Sequence, residues 1–214
     1  MSDANHLARV EAYSDGVFAI AATLLVLEIK VPSVDLQAPL GELWHRLADL
    51  WPSYLAFVLS FGTILIMWVN HHDAIRMLTK TSKPFLYANG FLLLMVTFVP
   101  FPTALLARYI ETRLASVVVV FYACTSLVTN VAFLIWFAAM QRPVYLLKPE
   151  LSRQHIKKVW TQIGVGVLTY LATAIIGWWL PLIGLGLIIT LFFLWTVMSV
   201  RERISSSQGG GSAS

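Results

Sequence analysis

Charge is scarce in this 214-residue chain: 12% of its residues are Asp, Glu, Lys or Arg, while 58% are hydrophobic. Soluble domains run to about a quarter charged and half apolar, so the composition excludes an ordinary water-soluble globule and leaves a polytopic membrane protein. Cysteine is scarcer still. Cys124 stands alone, which excludes an internal disulfide and any cysteine-based metal cluster, and its place inside an apolar run reads as a small buried residue. There is no Gly-rich phosphate loop of the Walker type and no Gly-x-Ser-x-Gly turn, so Ser14 has no oxyanion-hole motif beside it and no enzyme activity is expected. The net charge of +4 comes from Lys and Arg spread over the loops without interleaved aromatics, and nucleic acid is not an expected partner.

What the chain has instead is long apolar runs. A helix needs about 20 apolar residues to cross the hydrocarbon, and six runs approach that length: roughly Arg9–Ile29, Leu50–Asn70, a third from Lys83-Pro84 to near Arg108, Leu114–Met140, Val159–Leu180 and Leu182–Val200. Pro32 stops the first, Pro100 and Pro102 are expected to kink the third or end its regular part, and Pro181 opens a tight turn between the last two. Between Ser33 and Asp49, Leu36, Leu40, Leu43, Trp44 and Leu47 recur at helical spacing among charged residues, which predicts a short amphipathic segment at the membrane surface. The fold class is therefore an all-α integral membrane protein of six transmembrane helices, a single domain over residues 1–204. Residues 205–214 have the composition of a flexible linker of the kind left by cloning. The first run does not resemble a removable signal peptide, and the first three runs do not resemble the last three.

Lys and Arg gather on the side of the N-terminus, at Arg9, Arg76, Lys80, Lys83, Arg142 and the Lys148–Lys158 loop, against Lys30, Arg46, Arg108 and Arg113 opposite. That asymmetry predicts cytoplasmic termini.

The first run carries the residues most open to a functional reading. At about 100° per residue, Tyr13, Gly16, Ile20, Thr23, Leu24, Leu27 and Val31 share one stripe, and Asp15, Ala19, Ala22 and Val26 are expected on the opposite side. Periodicity alone leaves that stripe open as ordinary helix packing or as a functional face. A carboxylate at Asp15 costs about 2.5–3.5 kcal/mol at a membrane centre and needs a partner; Arg9 and the Trp68-x-x-His71-His72 end of the second run are candidates. The plainer reading is an acid that complements the helix N-terminus. His71 and His72 are adjacent, so they point about 100° apart and make a poor metal site.

The run Arg9-x-x-x-Tyr13-Ser14-Asp15-Gly16-Val17-Phe18-Ala19-Ile20-Ala21-x-Thr23-Leu24-Leu25 resembles the first-helix signature Arg-x-x-x-Phe-Ser-Asp of the transmembrane protein 175 family of potassium channels, in its six-helix prokaryotic form, with Tyr13 where the family usually has Phe. The resemblance implies a homotetramer around a pore lined by first helices, with Ile20, Leu24 and Leu27 as aliphatic constrictions and Thr23 supplying hydroxyls beside them. It also implies a structural polar network of Arg9, Ser14, Asp15, Trp68 and His71 behind the pore wall. The Thr-Val-Gly-Tyr-Gly loop of carbonyl-lined filters is absent, so selectivity would rest on an apolar ring that gates by losing water. Potassium and related monovalent cations are the implied permeants, no cofactor or metal is implied, and the cell (inner) membrane and its lipids are the setting. Glu28 and Asp35 could concentrate cations at the outer mouth or be solvated loop charges. Two rivals remain at this level. One is a proton- or cation-coupled secondary transporter using Asp15 and the His71 region as a relay, although such carriers usually show matched broken helices in two halves. The other is a scaffold without transport. Thr125, Ser126, Thr129 and Asn130 form a polar patch suited to a carrier's substrate but expected to hydrogen-bond neighbouring helices. Gly164, Gly166, Gly184 and Gly186 read as close-packing positions.

Overall fold

The computed structural model describes residues 3–142 and 153–209, with side chains over 5–142 and 156–197. Among them every regular element is helical: α1 Asp3–Leu24, followed directly by a 3₁₀ turn Leu25–Glu28, then α2 Leu40–Ala48, α3 Trp51–Ile75, α4 Lys83–Phe98, α5 Pro100–Tyr109, α6 Ala115–Met140, α7 Arg153–Trp179 and α8 Pro181–Gly209. Five apolar helical stretches are long enough to cross a membrane, counting α4 and α5 together, and the apolar part of α8, Pro181–Val197, is a shorter sixth.

Local chemistry sets the boundaries. Ser82 caps α4 by accepting from Phe85 N at 3.3 Å, with Pro84 in the first turn, where a missing N–H removes no helical bond. Pro100 and Pro102 carry no N–H for the carbonyls of Val96 and Phe98. Val96 O takes the Val99 N–H instead at 3.2 Å, and the helix divides there into α4 and α5. The expected kink is present. After the 3₁₀ turn, Ile29 is extended and leads to Pro32. The linker-like tail is corrected in part: α8 continues through Gly209, because Ser205–Gln208 contains neither Gly nor Pro, while residues 210–214 lie outside the described residues. So do residues 148–152, the first part of the basic loop.

Three apolar clusters hold the helices. Phe18, Ala21 and Leu25 of the first helix and its turn pack with Ile64 of α3 and Leu93 and Val96 of α4. Phe85 and Leu92 of α4 meet Trp136 and Met140 of α6 and Ile163 of α7. Ala56, Leu106, Val119, Tyr122 and Leu185 join α3, α5, α6 and α8. Ser60, Thr103 and Tyr122 tie α3, α5 and α6 by hydroxyl bonds of 2.6 and 3.1 Å, so these three buried hydroxyls are paired with one another. Large apolar side chains such as Leu94, Val117, Leu168 and Trp179 face outward, an arrangement that suits lipid or a second copy and not water.

Of the four glycines expected to pack closely, two do. A Cβ on Gly184 would lie 2.8 Å from both Gly177 Cα and Val119 Cγ1, and one on Gly166 would collide with Asn130. Gly164 and Gly186 have nothing within 4 Å; on these helices they fall on the turns away from the contact. The amphipathic segment is α2, with Leu40 and Trp44 fully or largely exposed.

Candidate functional site: the outward stripe of α1 and the polar network behind it

Helix α1 has two faces with different chemistry. Ser14, Phe18, Ala21 and Leu25 are buried at 2% exposure or less, whereas Tyr13, Ile20, Leu24 and Leu27 are 67%, 60%, 43% and 62% exposed. Gly16 and Thr23 are exposed on the same side. The stripe expected from periodicity is therefore one outward surface. Its back, however, is not Asp15, Ala19, Ala22 and Val26. Ala19 and Val26 are exposed and Asp15 and Ala22 half-buried, because they flank the contact line, which runs through Ser14, Phe18, Ala21 and Leu25 about 100° away.

The 3₁₀ turn changes the spacing within the stripe. In a 3₁₀ segment residues three apart eclipse, so Leu27 stands directly beyond Leu24. Ile20, Leu24 and Leu27 then form three aliphatic steps about 6 Å apart along the axis. Thr23 Oγ1 donates to Ile20 O at 2.9 Å, which commits its hydrogen and leaves the oxygen lone pairs facing outward. Lys30 Nζ donates to Leu27 O at 2.8 Å and lies 4.0 Å from Glu28. Asp35 Oδ1 accepts from Gln37 N at 2.9 Å, a local turn contact.

Behind the stripe, four of the five expected network residues are engaged. Trp68 Nε1 donates to Asp15 Oδ1 at 2.8 Å, joining α3 to α1. Ser14 Oγ donates to Val10 O at 2.8 Å and accepts from Asn89 Nδ2 at 3.0 Å. Asn89 Oδ1 accepts from Trp136 Nε1 at 3.0 Å and bonds His71 Nε2 at 2.8 Å. Since that oxygen has no hydrogen to give, His71 Nε2 is the donor. His71 is fully buried between Phe18 and Trp136, with ring centroids at 5.3 and 4.8 Å. His72 turns elsewhere, stacking on Trp68 at 5.8 Å, with Nδ1 3.1 Å from Glu11 Oε1 but off the line of a hydrogen bond.

Arg9 is the exception. It is exposed and lies six residues, about 9 Å of rise, before Asp15 on a different face, so Trp68 and not Arg9 holds the carboxylate. Asp15 and His71 also take different partners, so they do not form the single relay that the transporter reading needs. Sequence reasoning missed Asn89, Trp136 and Glu11. The amide of Asn89 inside the apolar run Phe85–Phe98 was the available signal, since a lone amide there requires a partner. The α6 hydroxyls at Thr125, Ser126 and Thr129 donate to Phe121, Tyr122 and Thr125 carbonyls on their own helix, not to neighbouring helices.

Comparison with known proteins places this geometry. A family model described as the endosomal/lysosomal potassium channel TMEM175 matches residues 9–100. A protein named as a potassium channel from Chamaesiphon minutus is 43% identical over 86% of this chain and 92% of its own length. Another so named, from Streptomyces collinus, is 40% identical over 78% of this chain and 80% of its own. The crystal structure of a lysosomal potassium-selective channel TMEM175 homolog from Chamaesiphon minutus superposes with a TM-score of 0.80 at 40% identity, covering 91% of this chain and 98% of that one. With identity of this order over most of both chains, carried by the same all-helical architecture, the chain belongs to the TMEM175 family of ion channels.

Proposed function

We propose that the chain is a potassium-permeable cation channel of the cell (inner) membrane, a homotetramer whose first helices line one axial pore. Ile20, Leu24 and Leu27 form its constrictions and Thr23 stands beside them. The carrying observation is the outward aliphatic stripe on a helix whose opposite face is fixed by packing and by the Ser14 and Asp15 bonds. A single subunit cannot enclose a passage with one such stripe, so assembly is part of the reading.

The mechanism follows from the side chains. A narrow aliphatic ring offers an ion nothing to replace its hydration shell, so closure needs only the loss of water, and slight widening admits a partly hydrated cation. Potassium sheds water more readily than sodium because its charge is spread over a larger radius. The outward Thr23 oxygens add acceptors next to the apolar step. The Trp68–Asp15 and Asn89-centred bonds fix the rotation of α1, and so keep the aliphatic face toward the axis. Both termini lie in the cytoplasm on the positive-inside rule, and lipid covers the outer apolar surface.

Potassium flux into liposomes tests this. Ile20→Asn replaces an apolar ring with amides that hydrate the constriction; leak is expected to rise severalfold and potassium-over-sodium discrimination to fall toward unity. Flux and discrimination equal to the wild type would remove Ile20 from the gate.

A further inference from the structure

The hydroxyl row of α6 borders an internal space. A cavity of about 330 Å³ lies among α3, α5, α6, α7 and α8, and no residue of the α1 stripe lines it. Tyr122, Thr125, Ser126 and Thr129 follow the i, i+3, i+4, i+7 spacing of one helical face, and all four are part of its wall. On α3 the wall runs from Thr63, at the midpoint of the helix, to Asn70 and Asp73, which are exposed near its end. At 1.5 Å of rise per residue the depth along α3 is about 15 Å. The polar lining both gives and takes hydrogen bonds. Thr63, Thr125, Ser126 and Thr129 spend their hydroxyl hydrogens on carbonyls of their own helices and keep oxygen lone pairs, whereas the amides of Asn70 and Gln162 and the phenol of Tyr170 are donors as well as acceptors. Apolar side chains such as Met67 and Phe133 occupy the intervals.

We propose that this cavity is a water-filled inlet inside the subunit, open at the Asn70–Asp73 end, that brings water and small hydrophilic solutes to the middle of the membrane. Polar side chains at membrane depth are tolerated where they line a water-filled space. Lipid tails would satisfy none of these groups, an anion or a cation would satisfy one kind, and water satisfies both. At about 30 Å³ per molecule the space holds roughly ten waters. The inlet ends blind at Tyr122, which bonds Ser60 at 3.1 Å, and Ser60 bonds Thr103 at 2.6 Å. From Tyr122 to the start of α6 at Ala115 the subunit stays dry over about 10 Å. The inference does not depend on an axial pore.

The test places single thiols in Cys124→Ser protein held in lipid nanodiscs, whose two faces both meet buffer, and follows their reaction with the charged reagent 2-(trimethylammonium)ethyl methanethiosulfonate. Ser126→Cys and Thr129→Cys, changes of little volume, set the thiol on the cavity wall. Asn70→Cys sets it at the mouth as the reactive reference, and Val128→Cys, at 43% exposure, sets it at the same depth on the outer face of α6. A thiol in apolar surroundings stays protonated and inert, and one unit of thiol pKa is a factor of ten in thiolate, so positions 126 and 129 are expected to react at least about tenfold faster than 128. Reaction at 126 and 129 no faster than at 128 means that lipid or packed side chains fill the space, and overturns the proposal. In the unsubstituted protein, hydroxyl radicals made from water by an X-ray pulse are expected to oxidise Met67 on the cavity wall and to spare Met140, at 0% exposure. Equal protection of the two methionines also overturns the proposal, and that comparison needs no substituted chain to fold.

Discussion

Remove the Asn89 amide and three groups lose a partner at once: Ser14 Oγ, Trp136 Nε1 and His71 Nε2. In membrane proteins side-chain hydrogen bonds contribute roughly 0.6 kcal/mol each, so Asn89→Leu is expected to cost about 2 kcal/mol, read as a lower midpoint in thermal unfolding of the detergent-solubilised protein. Asp15 behaves differently, because a neutral amide can still accept the Trp68 N–H. Asp15→Asn should therefore lose less stability than Asp15→Ala, and a reversed order would show that Trp68 does not hold this position. Asp15 was legible in sequence as a carboxylate that needs a partner in an apolar span, whereas Ser14, Trp68 and His71 were placed beside it by the resemblance to the family signature. Arg9 misled because a charge pair is easy to imagine along a helix, whereas the wheel angle places its side chain elsewhere. Asn89 and Trp136 went unread since neither is charged and their pairing spans α4 and α6, a distance no local pattern encodes.

Elements were easier to read where backbone chemistry leaves no choice. The divide between α4 and α5 is written in Pro100 and Pro102, and the apolar runs follow from hydrocarbon thickness. The back face of α1 was not readable in phase, because alanine, valine and phenylalanine are equally apolar and only the neighbours α3 and α4 decide which of them is covered. Glycines are similarly mute in sequence. Gly184 and Gly186 sit two residues apart, yet only Gly184 lies against Gly177 and Val119. Gly184→Ala should push α7 and α8 apart and destabilise by about 1–3 kcal/mol, the usual range for overpacking. Gly186→Ala meets open space and is expected to be neutral or stabilising by up to about 1 kcal/mol through helix propensity. The pair can be compared by fluorescence-detected size exclusion after heating, and equal losses at both positions would mean that the α7–α8 contact does not depend on this close approach.

For the whole molecule the argument turns on what covers Ile20 and Leu24. Side chains of this size left 60% and 43% exposed on a helix pinned from behind must face lipid or copies of themselves, and the two cases give different proximities. Cys124, expected to be buried, is exposed instead on the outer side of α6, so Cys124→Ser supplies a background without native thiol. In that background Ile20→Cys and Leu24→Cys place one thiol per subunit on the stripe, and Ala21→Cys, at 1% exposure, places one inside the subunit. If the stripes converge on an axis, a short bismaleimide added to the protein in membranes links subunits at positions 20 and 24 and leaves position 21 unlinked. Leu94→Cys, at an exposed position of α4, reports proximity at an outward apolar surface outside the α1 stripe. Linking at Leu94 with none at Ile20 would turn the α1 stripe toward lipid and leave the aliphatic steps with no ion to gate. Linking at Ile20 and Leu24, lost when Asp15→Ala frees the rear of the helix, would tie the polar network to the rotation that aims the constriction.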